Sequence, residues 1–162
     1  MKKIRLNILG LSYSQTHTGA YALLLTEEDG KRRLPIIIGS SEAQAIAIQL
    51  EGIVTPRPLT HDLFVRMASE YNITIREVVI YKLEEGIFYS EIVSEGPEGV
   101  KRIDSRTSDA VALALRFNAP IYTREELLQE AGVFLNIEEQ QGKDADAEAT
   151  EEEQASGPEL AN

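Results

Sequence analysis

The stretch RLPIIIGSSEAQAIAIQLEG, residues 33–52, changes its hydrophobic period halfway, and that change decides the fold class. Before Gly39, RLPIII (33–38) is a short apolar run of the kind a buried strand requires. After it, Ala43, Ile46, Ala47 and Leu50 fall at i, i+3, i+4 and i+7, one face of a helix. Gly39 ends the strand. Ser41-Glu42-Ala43-Gln44 fits a capping box in which the serine oxygen accepts an N–H of the first turn, and Gly52 marks the helix end.

Working outward, residues 3–12 place Ile4, Leu6 and Ile8 on one face of a strand. Residues 19–27 predict a second strand, joined to 33–38 through EEDGKR, where Asp29-Gly30 is a hairpin signal. Downstream, Leu63, Met67 and Tyr71 suggest a helix. NITIREVVIYKLEEGIFYSEIVS then reads as a hairpin turning at its glycine, with a short strand near 101–105. Residues 108–117 form an Ala/Leu helix, 119–121 a short buried strand and 124–131 a last helix, with Thr123 to Glu126 as a second capping box. Strands first, then helices mixed with hairpins, give an α+β class: a mixed or antiparallel sheet packed with about four helices in one compact domain.

The chain has 162 residues, 43% apolar and 6% aromatic, so aliphatic side chains must fill the core. It has no cysteine, which removes disulfides, thiolate catalysis and Cys-based zinc sites. The basic start MKK precedes a short, interrupted apolar run, read as a strand rather than a signal peptide. With no long apolar span, the expectation is a soluble cytoplasmic protein.

The net charge of −11 is unevenly placed. Nine acids against Lys143 alone put −8 on residues 138–162 and leave −3 on 1–137. The domain is thus expected over 1–136, followed by an acidic, disordered tail over 137–162. Neither part carries the basic excess of a strong nucleic-acid binder. The six tyrosines are dispersed, without the clustering that marks a base-stacking sheet. Phosphate-loop, dinucleotide and H-E-x-x-H motifs are absent.

Two stretches carry chemistry. In TPRPLTHDLF (55–64), Pro56 and Pro58 stiffen the backbone around Arg57. With Thr60 as N-cap, Leu59 and Phe64 would form a hydrophobic staple, and Asp62 would be a first-turn carboxylate. That makes the stretch a sufficient helix starter. His61 and Asp62 are neighbours on a helix and point about 100° apart, so any partner of His61 comes from elsewhere. The second stretch, RIDSRTSDAVALAL (102–115), sets Asp104, Arg106, Ser108 and Asp109 around another helix start. Its acids suggest a divalent ion such as Mg²⁺; its arginine and helix terminus suggest a phosphate cradle; a salt bridge between Arg106 and Asp109 needs neither. Glu42 is a first-turn acid and a possible third carboxylate. Thr60-His61-Asp62 and Thr107-Ser108-Asp109 share a Thr-x-Asp pattern. His17 lies in a polar turn and is expected to be solvated.

Taken together, LPIIIGSSEAQAIAIQLEG (34–52), PRPLTHDL (56–63) and DSRTSDAVALALRFNAPIY (104–122) resemble the bifunctional nuclease family of DNase/RNase domains. The resemblance covers about residues 5–135. Thr107 stands where the family usually has proline, and Ser105 where it has alanine. The resemblance implies cleavage of DNA and RNA with low sequence specificity, and self-association, with a homodimer favoured. On matching positions it implies His61, Asp62, Asp104, Asp109 and Glu42 as catalytic candidates and Arg57, Thr60, Arg106 and Ser108 as phosphate contacts. Asp62, Asp104 and Asp109 are the candidate metal ligands. The competing class is a non-enzymatic regulatory or assembly module, with the same segments building core and subunit interface.

Overall fold

The computed structural model describes residues 2–134. The expected acidic tail lies outside the described residues. Three strands come first: β1 (Lys3–Tyr13), β2 (Tyr21–Glu27) and β3 (Arg32–Ile38). Helices α1 (Ser40–Leu50) and α2 (Thr60–Glu70) follow. A second meander comprises β4 (Thr74–Glu84), β5 (Ile87–Gly96) and β6 (Gly99–Arg106). The domain ends with α3 (Thr107–Phe117), β7 (Ile121–Arg124), α4 (Glu125–Ala131) and β8 (Val133–Phe134).

All eight strands form one mixed sheet in the order β6-β5-β4-β7-β1-β2-β3-β8. The α+β class read from the sequence is what the molecule adopts. Each meander is antiparallel by local turns. Gly30 at φ +73° turns β2 into β3, and Lys31 N–H donates to Asp29 Oδ1 at 2.9 Å. Glu85 and Gly86, both at positive φ, make the two-residue loop between β4 and β5. The four-residue β7 joins the meanders, antiparallel to β1 and parallel to β4. The shortest strand of the sequence reading, after Asn118 at φ +53°, is therefore central.

One alternate set of strand residues supplies the core. Leu6, Leu23, Leu25, Leu34, Val78, Ile80, Ile92 and Ile121 pack with Ala43 and Ile46 of α1, Ala110 to Ala114 of α3, and Leu127 and Leu128 of α4. Val79 and Val93 are equally buried but stand apart from this cluster, because they point to the other side of the sheet. That second face also carries Tyr81, Tyr89 and Tyr122 on three adjacent strands, whereas the tyrosine rings in contact among the described residues are Tyr13 and Tyr21. Thr123 is buried inside β7, its Oγ1 donating to the Ile80 carbonyl at 2.8 Å, so it does not begin a capping box. Serine does not cap α1 either: Gly39 is the N-cap and Ser40 and Ser41 already lie in the helix. His17 is exposed, as expected, beside Thr16.

Candidate functional site: three helix starts around one cleft

Helices α1, α2 and α3 begin at one place. Each carries an acid at its third helical position: Glu42, Asp62 and Asp109. This position is favoured because a carboxylate there meets unpaired N–H groups and the positive end of the helix dipole. The Thr-x-Asp echo thus has a structural cause, since Thr60 and Thr107 are each the first helical residue.

Thr60 is consequently not the N-cap. Leu59 occupies that position in extended conformation, and its N–H donates to Asp62 Oδ2 at 2.9 Å. The proposed Leu59–Phe64 staple fails with it: Phe64 is 54% exposed and lines the cleft instead. The proline loop is closed by Thr55 Oγ1 donating to the Arg57 carbonyl at 2.8 Å. Arg57 itself is exposed and is not part of the cleft wall.

The cleft, about 840 Å³, lies between the three helix starts and edge strand β6. It contains Glu42, Thr60, His61, Asp104, Arg106 and Asp109, six of the nine residues singled out from sequence. Its remaining wall is largely apolar, with Leu59, Phe64, Ile92, Ile103 and Leu113. His61 Nε2 lies 3.0 Å from Asp109 Oδ1. Arg106, the N-cap of α3, donates from Nε to the other oxygen of Asp109 at 2.8 Å and reaches Glu42 Oε1 at 2.9 Å. Those two acids, Asp109 first, hold the Arg106 guanidinium more firmly protonated than usual. With its side chain 67% exposed, Arg106 also keeps part of its donor fork toward solvent.

Asp62, by contrast, turns away from the cleft. The Leu59 N–H first, and then the Arg116 guanidinium, hold its carboxyl below the ordinary aspartate range. Arg116 donates to Asp62 Oδ1 at 2.8 Å, to the Ala45 carbonyl of α1 at 3.1 Å and to its own Ala112 carbonyl. Its side chain is only 3% exposed. This residue had not been singled out. A signal existed: Arg116 follows Asp109 by seven positions, which puts both on one face of α3. Ser108 is buried at the second position of α3 and does not line the cleft.

The metal expectation meets a geometric difficulty. Both oxygens of Asp109 and both of Asp62 already accept from cationic or N–H groups. Asp104, on β6 opposite Glu91, is the one of the three without an ion pair among the described residues. No group of three or more His, Asp or Glu side chains among the described residues is arranged to hold a metal ion. The donor set therefore does not fit a three-carboxylate centre.

An α+β domain with this helix-start cluster defines the class, and comparison with known proteins places it. The bifunctional nuclease domain model matches residues 23–136, and the chain belongs to that family. It is 43% identical over 128 residues to two Mycobacterium tuberculosis proteins, Rv1829 and MT1877, both described as uncharacterised. The match covers 79% of this chain and 73% of each relative. No described helix is long and apolar enough to cross a membrane.

Proposed function

We propose that the cleft hydrolyses phosphodiester bonds of DNA and RNA, with His61 as general base oriented by Asp109. The 3.0 Å contact between His61 and Asp109, made across 48 residues, carries this reading. Nε2–H donation to the carboxylate fixes the tautomer in which Nδ1 keeps the lone pair. His61 then takes a proton from water as the water oxygen bonds to phosphorus and the P–O ester bond breaks. The departing oxygen recovers a proton from the imidazolium. The exposed part of the Arg106 fork offers donors to the non-bridging oxygens as charge develops. Three helix N-termini, each equivalent to roughly +0.5 charge, add to this attraction and offset the surrounding acids.

Of the three candidate ligands Asp62, Asp104 and Asp109, only Asp104 is uncommitted among the described residues, so no step is routed through a divalent cation. The homodimer expected from the resemblance has a suitable surface. Among the described residues strand β6 is an edge of the sheet, and α2 has no buried residue, leaving Leu63, Phe64 and Met67 each about half exposed. Sedimentation equilibrium tests that proposal.

One observation favours the non-enzymatic alternative: Arg106, Glu42, Asp109 and His61 satisfy one another, as a purely structural staple between three helices would. Purified wild type and His61→Ala, assayed in parallel on single-stranded DNA and RNA, separate the two. The nuclease reading requires wild-type turnover and a folded His61→Ala variant slower by about 100-fold or more, the range of general-base catalysis. Equal rates in the two preparations favour the staple.

A further inference from the structure

Among the described residues the buried side chains of the helices pack on one face of the sheet, and the opposite face carries its own set of aromatic and charged residues. Register assigns its residues. Lys3 pairs with Arg124 and Arg5 with Tyr122 across β1 and β7, while Val79 pairs with Tyr122 across β4 and β7. Lys82 pairs with Tyr89 across β4 and β5, beside a bulge at Tyr81. Directly paired residues share a face, which places Tyr122 and Tyr89; Tyr81, unpaired at the bulge, is placed with them by the Arg124 guanidinium over its ring, so three half-buried tyrosines lie diagonally across three adjacent strands. With strands about 4.8 Å apart and an offset of two residues at about 3.3 Å each, the array spans roughly 12 Å between its outer members, room for two or three stacked bases.

Each ring is already matched with a cation. Lys3 Nζ lies 4.9 Å from the centroid of Tyr122, Lys82 Nζ 4.7 Å from Tyr89, and the Arg124 guanidinium 5.5 Å from Tyr81. Three acids of this face are paired, Glu77 with Lys3, Glu84 with Lys82 and Glu91 with Arg102, while Asp104, opposite Glu91 on the edge strand, has no ion pair among the described residues. Arg5 and Arg124 have no ion pair among the described residues, so two arginines beside the tyrosines keep donors for an anion, against the one unpaired acid Asp104 at the edge. Exposed cation–π contacts are weaker than base–aromatic stacking. A base can therefore take the ring while Lys3 and Lys82 stay with Glu77 and Glu84, and Arg124, which has no ion pair among the described residues, turns to the neighbouring phosphate.

We propose that Tyr81, Tyr89 and Tyr122, with Arg5 and Arg124, form a stacking platform for single-stranded nucleic acid on the sheet face opposite the cleft. Aromatic faces flanked by arginines suit a flexible polyanion with flat bases, whereas a rigid duplex keeps its base faces hidden. The choice of nucleic acid over other polyanions rests on the nuclease reading above. The platform also adjoins the cleft: Tyr89 is the direct partner of Arg106 across β5 and β6, and β6 is the edge. A strand leaving Tyr89 passes over this edge to the residue that enters the cleft.

The test uses the full chain and fluorescein-labelled oligo(dT), with His61→Ala as a background that does not consume the probe. Single Tyr81→Ala, Tyr89→Ala and Tyr122→Ala changes are each expected to weaken binding about 5- to 150-fold, the range for one stacked base. The Tyr→Phe counterparts keep it within about twofold, because the ring is what stacks. The chain has no tryptophan, so quenching of tyrosine emission on titration reports stacking directly. Folded alanine variants that bind oligo(dT) like their parent overturn the proposal. So does binding unchanged by the alanine substitutions that instead dissolve a dimer in sedimentation, which assigns the face to a second copy. Hydrolysis of bis-p-nitrophenyl phosphate, too small to span face and cleft, separates the two readings. Hydrolysis without tyrosine-dependent binding removes the platform alone; tyrosine-dependent binding without hydrolysis removes the nuclease reading alone.

Discussion

Replacing Arg116 with methionine is expected to destabilise the domain by about 2–3 kcal/mol and to slow the cleft chemistry as well. Methionine keeps much of the apolar stem but removes the charge. The guanidinium is 3% exposed and serves Asp62, Ala45 and Ala112, so its loss touches all three helices at once. Orphaning one member of a fully buried ion pair costs about 3–5 kcal/mol. Asp62 is 32% exposed and keeps the Leu59 N–H, so water and that donor recover part of the loss. Losing the bond to the Ala45 carbonyl adds about 1 kcal/mol. The sum settles near 2–3 kcal/mol. Urea unfolding followed by far-UV circular dichroism measures it, as a midpoint lowered by about 1–3 M for a slope near 1–2 kcal/mol/M.

The kinetic effect follows from α2. None of its residues is buried, so Asp62–Arg116 and His61–Asp109 are major ties to α3. With the first gone, His61 samples positions away from Asp109, and kcat should fall while affinity for substrate changes little. Asp62→Asn combined with Arg116→Met should cost less than the sum of the single changes, because no charge is then left unpaired. A folded Arg116→Met protein with an unchanged midpoint, or strictly additive single and double variants, would refute the reasoning.

The remaining predictions concern protonation, metal and buried hydroxyls. Asp62 titrates below its unfolded value in the native state, so its stabilisation is complete above the ordinary aspartate range near 3.9 and is lost as pH falls through the lower native value. Asp62→Asn should accordingly flatten the acid limb of a stability–pH profile, measured by urea midpoints from neutral pH downward. Asp109→Asn, which keeps the shape but weakens the hold on both His61 and Arg106, should reduce nuclease turnover about 100-fold or more while leaving the unfolding free energy within about 1 kcal/mol. EDTA should leave cleavage intact if the His61–Asp109 pair suffices; abolished activity restored by Mg²⁺ would show that an ion acts through Asp104 or water. Thr107→Val should cost about 1–3 kcal/mol in thermal or urea unfolding, because Ser90 Oγ, 2.6 Å from Thr107 Oγ1 in the buried β6–α3 junction, loses its partner.

Local pattern determined much of this molecule. The shift of period at Gly39, the Asp29-Gly30 turn and the Glu85-Gly86 turn each follow from neighbouring residues, and with them the α+β class. Helix starts were legible to within a residue or two. The capping residues were misread because Ser41, Thr60 and Thr123 can all cap, and the backbone path chose otherwise. At α2 the acid at the third position reaches back to the Leu59 N–H, so a leucine can stand first. The candidate site was legible as residue types and not as partnerships. Asp62 and Asp109 look alike in sequence; one meets Arg116 in the interior, the other meets His61 and Arg106 in the cleft.

What tertiary structure alone decided depends on strand order. Four residues of β7 placed between β4 and β1 bring the two meanders into one sheet. That pairing sets Tyr122 beside strands that carry Tyr81 and Tyr89, from positions some forty residues apart in the chain. Periodicity says which face of a strand is apolar, because it is a property of neighbours along the chain. It is silent about which strand lies alongside, because pairing is fixed by the burial of the whole sheet against its helices.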